Sequence, residues 1–395
     1  MDAKEFKSNR TSKAHTMNQY TKETRCVHSG TLIDQQDQGA NSPVYTSTSY
    51  GYLDKETPMY PRYFNTKNQQ ALAKKISDLE NGESGLVFSS GMAAITSTLY
   101  AFLSQGDHII FQSALYGGTL NFIGKELNRF GIEYTLINST FTEDFEQAIQ
   151  ENTRAIYIET PSNPLLKITD MEALARLAKS KNILSIIDNT FASPINQNPL
   201  DWWIDIVLHS ATKYLNGHSD VTAGAVVSTK DKVERIWETA RSLGGSLNAQ
   251  ICYLLERSLK TLDIRVKKQN ENALQLAHFL EAHPQIQKVW YPGLKSHIGH
   301  DTASRQMSGF GGMLSFEPQN KSIIQLQRRL ELIRPAVSLG GIDSTICTPA
   351  LTSHKGLTQE EREAQGISDT MLRLSVGIEN IDDLIQDLNQ ALESL

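Results

Sequence analysis

Lys213 stands in the string Ser210-Ala211-Thr212-Lys213-Tyr214, directly after an apolar, strand-like run from Asp205 to His209. Upstream, a second apolar run, Ile183 to Ile187, ends in Asp188-Asn189-Thr190. A lysine flanked by hydroxyls, with a carboxylate at the tip of a neighbouring strand, is a chemically useful pair. A free ε-amine bonds an aldehyde as a Schiff base. A carboxylate keeps a pyridine nitrogen protonated, so that the ring can draw electrons from an attached amino acid. These are the two anchors that pyridoxal 5′-phosphate (PLP) needs, and Ser210 and Thr212 are placed to hydrogen-bond its phosphate. Taken alone, a Ser-x-Thr-Lys string is also a surface lysine after a buried strand.

Ligands of open parallel sheets bind outside the carboxyl ends of the strands, and other strand ends carry matching chemistry. Leu86-Val87-Phe88 is followed by Ser89-Ser90-Gly91-Met92, which opens a helix. A glycine there allows close approach, and the free amides and helix dipole at Ser90, Gly91 and Met92 favour a phosphate. The same string also serves as an ordinary N-cap. After His108 to Phe111 comes Tyr116-Gly117-Gly118-Thr119, whose tyrosine can lie flat on an aromatic ring. After Ala155 to Ile158 comes Glu159-Thr160-Pro161-Ser162-Asn163-Pro164. Its prolines hold Asn163 at the tip, where its amide reaches a ring hydroxyl, or else make a plain turn. Five strand ends with complementary groups make independent coincidence a poor explanation.

Two further pieces lie outside this series. Tyr60 precedes Pro61 and is biased to extended backbone. An extended segment turns Tyr60 and Arg62 the same way, a phenol and a guanidinium suited to a phosphate. In Met371-Leu372-Arg373-Leu374-Ser375-Val376 the alternation buries Leu372, Leu374 and Val376 and turns Arg373 and Ser375 to the other face. An arginine fixed on a strand is a fork for a substrate carboxylate; a solvent-facing arginine has the same pattern.

The elements that must position these groups alternate along the chain. Strand-like runs recur at 86–88, 108–111, 132–137, 155–158, 183–187, 205–208 and 225–228, with helical patterns between several of them, as in Gln69 to Leu79, Leu120 to Phe130 and Met171 to Lys181. This predicts an α/β fold: a mostly parallel, seven-stranded sheet with helices on both faces. The link from Asp188 to Asp205 has Pro194, Pro199 and no helical period, and reads as a loop crossover. From about Leu247 a smaller α+β unit is predicted. It has a long helical stretch, Cys252 to Leu280, interrupted near Leu262. Strands follow at Ile286–Trp290, Gly312–Phe316 and Met371–Val376, and helices at Ile323–Leu332 and Ile381–Leu392. Residues 1–66 read as an extended arm, with Met1 to Gln19 peripheral and no sustained helical period from Tyr20 to Thr66. The domains are thus 1–66, 67–246 and 247–395.

A chain of 395 residues is too long for one ordinary core. Its net charge of −6 argues against a nucleic-acid partner. The three cysteines, Cys26, Cys252 and Cys347, are far apart and suggest reduced thiols. No run is long enough for a membrane span and the first residues lack a signal-peptide core, so a cytoplasmic protein is expected. No metal-ligand spacing is present.

From about Thr24 to the C-terminus the chain resembles the PLP enzymes of cysteine and methionine metabolism: cystathionine γ-synthases, cystathionine β- and γ-lyases, methionine γ-lyases and homoserine sulfhydrylases. The resemblance rests on Tyr60-x-Arg62, Ser89 to Ala94, Tyr116 to Thr119, Glu159 to Pro164, Asp188 to Phe191, His209 to His218, Ser338-Leu339-Gly340-Gly341 and Leu372 to Ser375. It implies the fold-type I PLP-dependent transferase architecture. It implies that Lys213 carries the Schiff base and Asp188 the pyridine nitrogen, while Gly91, Met92, Ser210 and Thr212 hold the phosphate. Tyr116 would stack on the ring and move protons, Asn163 would meet the ring hydroxyl, and Arg373 with Ser338 would hold the substrate carboxylate. It also implies a homodimer, usually paired into a homotetramer, in which Tyr60 and Arg62 reach the neighbouring subunit's phosphate.

Departures from the family pattern bear on subtype. Phe64-Asn65-Thr66-Lys67 stands where most members have Gly-Asn-Pro-Thr. Gly118 stands where methionine γ-lyases carry a reactive cysteine, and Leu339 where some β-lyases have tryptophan. Asp343 replaces a glutamate near the substrate mouth, and Ser258 a glycine. The expected activity is elimination or replacement at the β or γ carbon of a sulfur amino acid, of the cystathionine γ-synthase/γ-lyase type. The alternatives are a cystathionine β-lyase, then a methionine γ-lyase or homoserine sulfhydrylase. Outside that class stand an aminotransferase and a cofactor-binding protein without turnover.

Overall fold

The computed structural model describes residues 17–34, 36–320 and 322–394. Most of the segment expected to be peripheral, Met1 to Gln19, lies outside the described residues; Met17–Gln19 forms a single 3-10 turn.

After α1 (Lys22–His28) and α2 (Lys67–Leu79), strands and helices alternate: β1 (Ser84–Phe88), α3 (Gly91–Phe102), β2 (His108–Gln112), α4 (Gly117–Phe122), β3 (Glu133–Ile137), α5 (Thr142–Gln147) and β4 (Thr153–Glu159). The series continues with α6 (Met171–Ser180), β5 (Leu184–Asp188), α7 (Ser193–Asn196), β6 (Ile206–His209), β7 (Gly224–Ser228) and α8 (Lys230–Leu243). The seven strands form one sheet in the order β1-β7-β6-β5-β4-β2-β3. β7 runs antiparallel to both its neighbours, and the remaining pairs are parallel.

Apolar side chains on both faces explain why these strands are buried. Phe111, Tyr157, Ile186 and Leu208 pack toward α3 and α8. Their chain neighbours Ile110, Ile156, Ile187 and Val207 pack on the opposite face with Met171 and Leu174 of α6. A parallel sheet covered on both sides reads as continuous apolar runs, which is what the sequence presents.

The second unit contains α9 (Ala249–Leu259), α10 (Leu262–Ala282), β8 (Ile286–Trp290), α11 (His300–Gln306), β9 (Met313–Pro318), α12 (Ile323–Arg329), β10 (Arg334–Pro335), β11 (Thr345–Cys347), α13 (Gln359–Gln365), β12 (Leu372–Ser375) and α14 (Ile381–Glu393). Its five strands order as β10-β11-β12-β9-β8. Leu314, Phe316, Leu372 and Leu374 bury one face against Leu276 of α10 and Leu388 of α14.

Several expectations need correction. The arm is not without helix: α1 forms there, although its seven residues show no apolar period. Tertiary contacts hold it. Arg25 Nη1 donates to Asn81 Oδ1 at 2.6 Å, and the buried Lys75 Nζ donates to the Cys26 carbonyl at 3.0 Å. The 188–205 link contains α7 and a 3-10 turn, Pro199–Trp202. Every α7 residue is buried, so no polar face marks it in the sequence. The helix expected from Leu120 begins at Gly117 and widens into a π turn at Ile123–Leu127. The sequence pattern marks none of α5, α8, α11, α13 or the short strands β10 and β11.

Candidate active site

The carboxyl ends of β1, β4, β5 and β6 open into a cavity of about 530 Å³, closed from the second unit by Val337, Ser338, Leu339, Leu351 and Arg373. That volume lies in the range of small-molecule sites, ~300–1,000 Å³. Ser90, Gly91, Met92, Tyr116, Asn163, Asp188, Ser210, Thr212, Lys213, Ser338 and Arg373 all line it. The sheet thus brings together eleven of the thirteen residues singled out in the sequence.

Lys213 follows β6 in a turn closed by its own amide on the Ser210 carbonyl at 3.1 Å. Its Nζ donates to Ser338 Oγ at 2.8 Å. Burial, and secondarily the Arg373 guanidinium, lower its pKa from 10.5 to about 8. Ser338 holds a left-handed φ of +78°, uncommon for a residue with a Cβ. Two residues on, Gly340 has φ +73°, and a Cβ there would come 2.8 Å from the Tyr214 amide. Only glycine lets the 338–341 loop press onto the backbone beside the lysine.

Asp188 ends β5 and is buried. Burial pushes its carboxyl up, while hydrogen bonds from Thr190 and the neighbouring His209 pull it down. The Thr190 amide donates to Asp188 Oδ1 at 3.0 Å. Glu159 sits in register with it on β4 and is held well above the ordinary carboxylate range, first by burial and then by Asp188. Glu159 Oε2 accepts the Tyr116 amide at 2.9 Å, which fixes the turn after β2. The half-exposed Tyr116 ring lies over Gly118, where a Cβ would come 2.4 Å from Tyr116 Cε1.

Arg373 projects from β12 into the cavity, as the alternation predicts, and is 5% exposed rather than solvent-facing. Its Nη1 donates to Asn163 Oδ1 at 2.8 Å and its Nη2 to the Ser338 carbonyl at 3.3 Å. Its buried Nε has no acceptor among the described residues. Asn163 therefore gives its oxygen to Arg373, which leaves its Nδ2 for a ligand oxygen.

The start of α3 offers free donors to the cavity, a candidate phosphate cradle. Ser90 Oγ caps the helix by accepting the Ala93 amide at 3.1 Å. The amides of Gly91 and Met92, in the first turn, have no acceptor among the described residues. Gly91 packs on Ser210 so closely that a Cβ would come 2.9 Å from Ser210 Cβ. The Ser210 hydroxyl makes no hydrogen bond among the described residues, whereas Thr212 Oγ1 donates to the Ala223 carbonyl at 3.2 Å and accepts the Ala223 amide at 3.0 Å. Free amides, a free hydroxyl, a lysine of lowered pKa and a buried acid are a donor set that fits PLP.

Tyr60 and Arg62 lie outside the cavity. Tyr60 is extended and Pro61–Tyr63 is a 3-10 turn rather than a continued strand, yet the Arg62 guanidinium still lies 5.7 Å from the Tyr60 ring centroid. Proline sets a helical φ as readily as an extended one. Arg62 donates to the Arg241 carbonyl and stacks 5.0 Å from the Tyr63 ring centroid. The departure at Phe64 has a physical account. Its φ is +58°, where the family pattern carries glycine, and its buried ring packs 5.1 Å from Phe88. Asp343 is exposed and does not line the cavity. Ser258 donates to Asn216 Oδ1 at 3.2 Å, tying α9 to the turn after Lys213.

Glu159, Thr190 and the 351–353 segment escaped the sequence reading. Glu159 had a usable signal, an acid closing an apolar strand just as Asp188 does. The 351–353 segment had none, because it arrives from the second unit through tertiary packing.

The fold and the groups lining the cavity fit one class, the PLP-dependent enzymes. A family profile described as "Cys/Met metabolism PLP-dependent enzyme" matches residues 23–393. The chain is 43% identical over 378 residues to a cystathionine gamma-lyase of Bacillus subtilis, covering 95% of this chain and all of that protein. It is 42% identical over 374 residues to a cystathionine beta-lyase of Lactococcus lactis, covering 94% and 98%. A crystal structure of cystathionine gamma-lyase from Lactobacillus plantarum complexed with L-serine superimposes with a TM-score of 0.92 at 39% identity, over 95% of this chain and 99% of that one. The chain belongs to the Cys/Met-metabolism family of PLP-dependent enzymes, and its cofactor is PLP.

Proposed function

We propose that this enzyme cleaves a sulfur amino acid between Cγ and sulfur, with cystathionine as the leading substrate. The observation that carries this reading is the convergence of Lys213, Asp188 and Arg373 on one cavity. Bound PLP supplies an electron sink for the amino acid's α-carbon. Arg373, pre-oriented by Asn163 and Ser338, holds the substrate carboxylate. Lys213 Nζ takes the α-proton, and its lowered pKa suits a general base. Asp188 keeps the pyridine nitrogen protonated. A leaving group at Cγ requires a second proton to be taken from Cβ, and Lys213 and Tyr116 are the available carriers. Gly118 and Leu339 favour the γ branch over the methionine γ-lyase and β-lyase patterns.

β-Cleavage is the second reading, because the relatives named for the two activities differ by one percentage point in identity. Products separate them. 2-Oxobutyrate and cysteine from cystathionine support γ-cleavage; pyruvate and homocysteine refute it and establish β-cleavage. Turnover of O-acylhomoserine with cysteine alone identifies a synthase.

We further propose that the protein works in the cytoplasm as a homodimer or a homotetramer, with Tyr60 and Arg62 completing a neighbouring copy's phosphate site. Their exposure supports this, as do the exposed Tyr52 and Leu53 of the same arm. The buried free thiols of Cys26, Cys252 and Cys347 suit a reducing compartment. A monomer in light scattering refutes the assembly. Among the described residues, no helix is long and apolar enough to cross a membrane.

A further inference from the structure

Behind the cavity, on the other side of the strand tips, lies a buried polar network that the chemistry above does not use. Glu80 follows α2 and is 0% exposed. Its Oε1 accepts Asn189 Nδ2 at 2.7 Å and stands 2.6 Å from His209 Nε2. Its Oε2 accepts Asn198 Nδ2 at 3.3 Å. Asn189 Oδ1 accepts Gln197 Nε2 at 2.9 Å, and the same Nε2 donates to the Thr160 carbonyl at 2.9 Å. Asn189, His209 and Gln197 are all buried.

The chain positions of these partners carry the inference. Thr160, Asn189 and His209 stand at the tips of β4, β5 and β6. Each is the immediate neighbour of a residue that lines the cavity: Glu159, Asp188 and Ser210. Successive side chains of a strand point to opposite faces, so Asn189 and His209 face the network while Asp188 and Ser210 face the cavity; Thr160 joins the network through its backbone carbonyl. One carboxylate oxygen bridges two tips directly, and a single glutamine extends the tie to the third. A fully buried carboxylate is expensive, and well-packed apolar residues often stabilise a fold as well or better. Its use here, with three side-chain donors, is explained by a need for fixed spacing.

We propose that Glu80 is a positioning residue, whose carboxylate sets the spacing of the β4, β5 and β6 tips and through them the separation of Asp188 from Lys213. This rests on the reading of the cavity as a PLP site. His209 is its principal partner, and the role assigned to His209 is that of a donor at Nε2. The charged groups that act on the pair are Asp188, beside His209, and Lys22 of α1, beside Glu80.

The test uses the full chain with three substitutions. Glu80→Leu keeps bulk and removes both oxygens. His209→Leu removes the donor. His209→Gln places an amide donor where Nε2 stood. PLP affinity is measured by the visible absorbance of the bound cofactor, kcat and KM by steady-state cleavage, and folding by thermal melting of the cofactor-free protein. Glu80→Leu and His209→Leu are expected to weaken PLP binding about tenfold and to lower kcat roughly 10- to 100-fold, the cost of a small misplacement, with a smaller change in KM. His209→Gln is expected to restore both within about twofold of the parent. If Glu80→Leu does not fold, the contrast between His209→Leu and His209→Gln decides alone. Leucine variants that only melt earlier, with parental spectrum and kcat, overturn the proposal, as does a glutamine variant no better than leucine. A parent protein that binds no PLP overturns instead the cofactor reading beneath it, and this proposal with it.

Discussion

Lys213 should behave as a weak base in the cofactor-free protein. Its Nζ is partly desolvated and faces the Arg373 guanidinium, and its pKa falls from 10.5 to about 8. At pH 7 a group of pKa about 8 has roughly 9% of its molecules as free amine, against roughly 0.03% at 10.5. The reactive fraction thus rises about 300-fold. Trace acetylation with acetic anhydride across about pH 6 to pH 10 reads this fraction directly, since only the free amine reacts. The Lys213 peptide is quantified by mass spectrometry as its acetylated fraction, against the fully acetylated peptide as standard. Labelling should climb with pH, pass its midpoint near pH 8 and level off about one to two units above it. In Arg373→Leu the midpoint should move upward, because a nearby positive charge is gone. It should stay below 10.5, because burial is the larger cause. A midpoint at the ordinary lysine value in the parent protein, or no movement in Arg373→Leu, would refute this account of the site's electrostatics.

Two further outcomes are expected. Arg373→Leu should raise KM for an amino-acid substrate about 10- to 100-fold, the loss of a charge-assisted pair of hydrogen bonds, with a smaller change in kcat; a KM within threefold of the parent would assign the carboxylate to another group. Gly91→Ala should weaken PLP binding about tenfold while the cofactor-free protein still folds, because its Cβ would come 2.9 Å from Ser210 Cβ and spread the cradle; equilibrium dialysis showing parental affinity rules that cradle out.

Much of the site was legible because local chemistry and strand ends coincide in this fold. Lys213, Asp188, Asn163 and Gly91 each follow an apolar run, and parallel strands carry their carboxyl ends to one edge. Arg373 was legible through the period-2 pattern of β12. Around Tyr60 and Arg62 only the backbone differs from the expected strand, because a proline permits a 3-10 turn as well; the two side chains still meet. α1 and α7 were missed for opposite reasons. The first is too polar to show a buried stripe, and the second too buried to show a polar one.

The sequence by itself determined the elements and the chemistry they carry: a covered parallel sheet, a lysine and an acid at its strand ends, and a family pattern across nearly the whole chain. Only the tertiary structure decided how those groups are tuned. Ser338 meets Lys213, Asn163 turns its oxygen to Arg373, and Glu159 joins Asp188 through contacts between distant segments. Periodicity reports which face of a strand is buried. Burial depth, local charge and the partner of each polar atom are set by packing, which has no short-range signature along the chain.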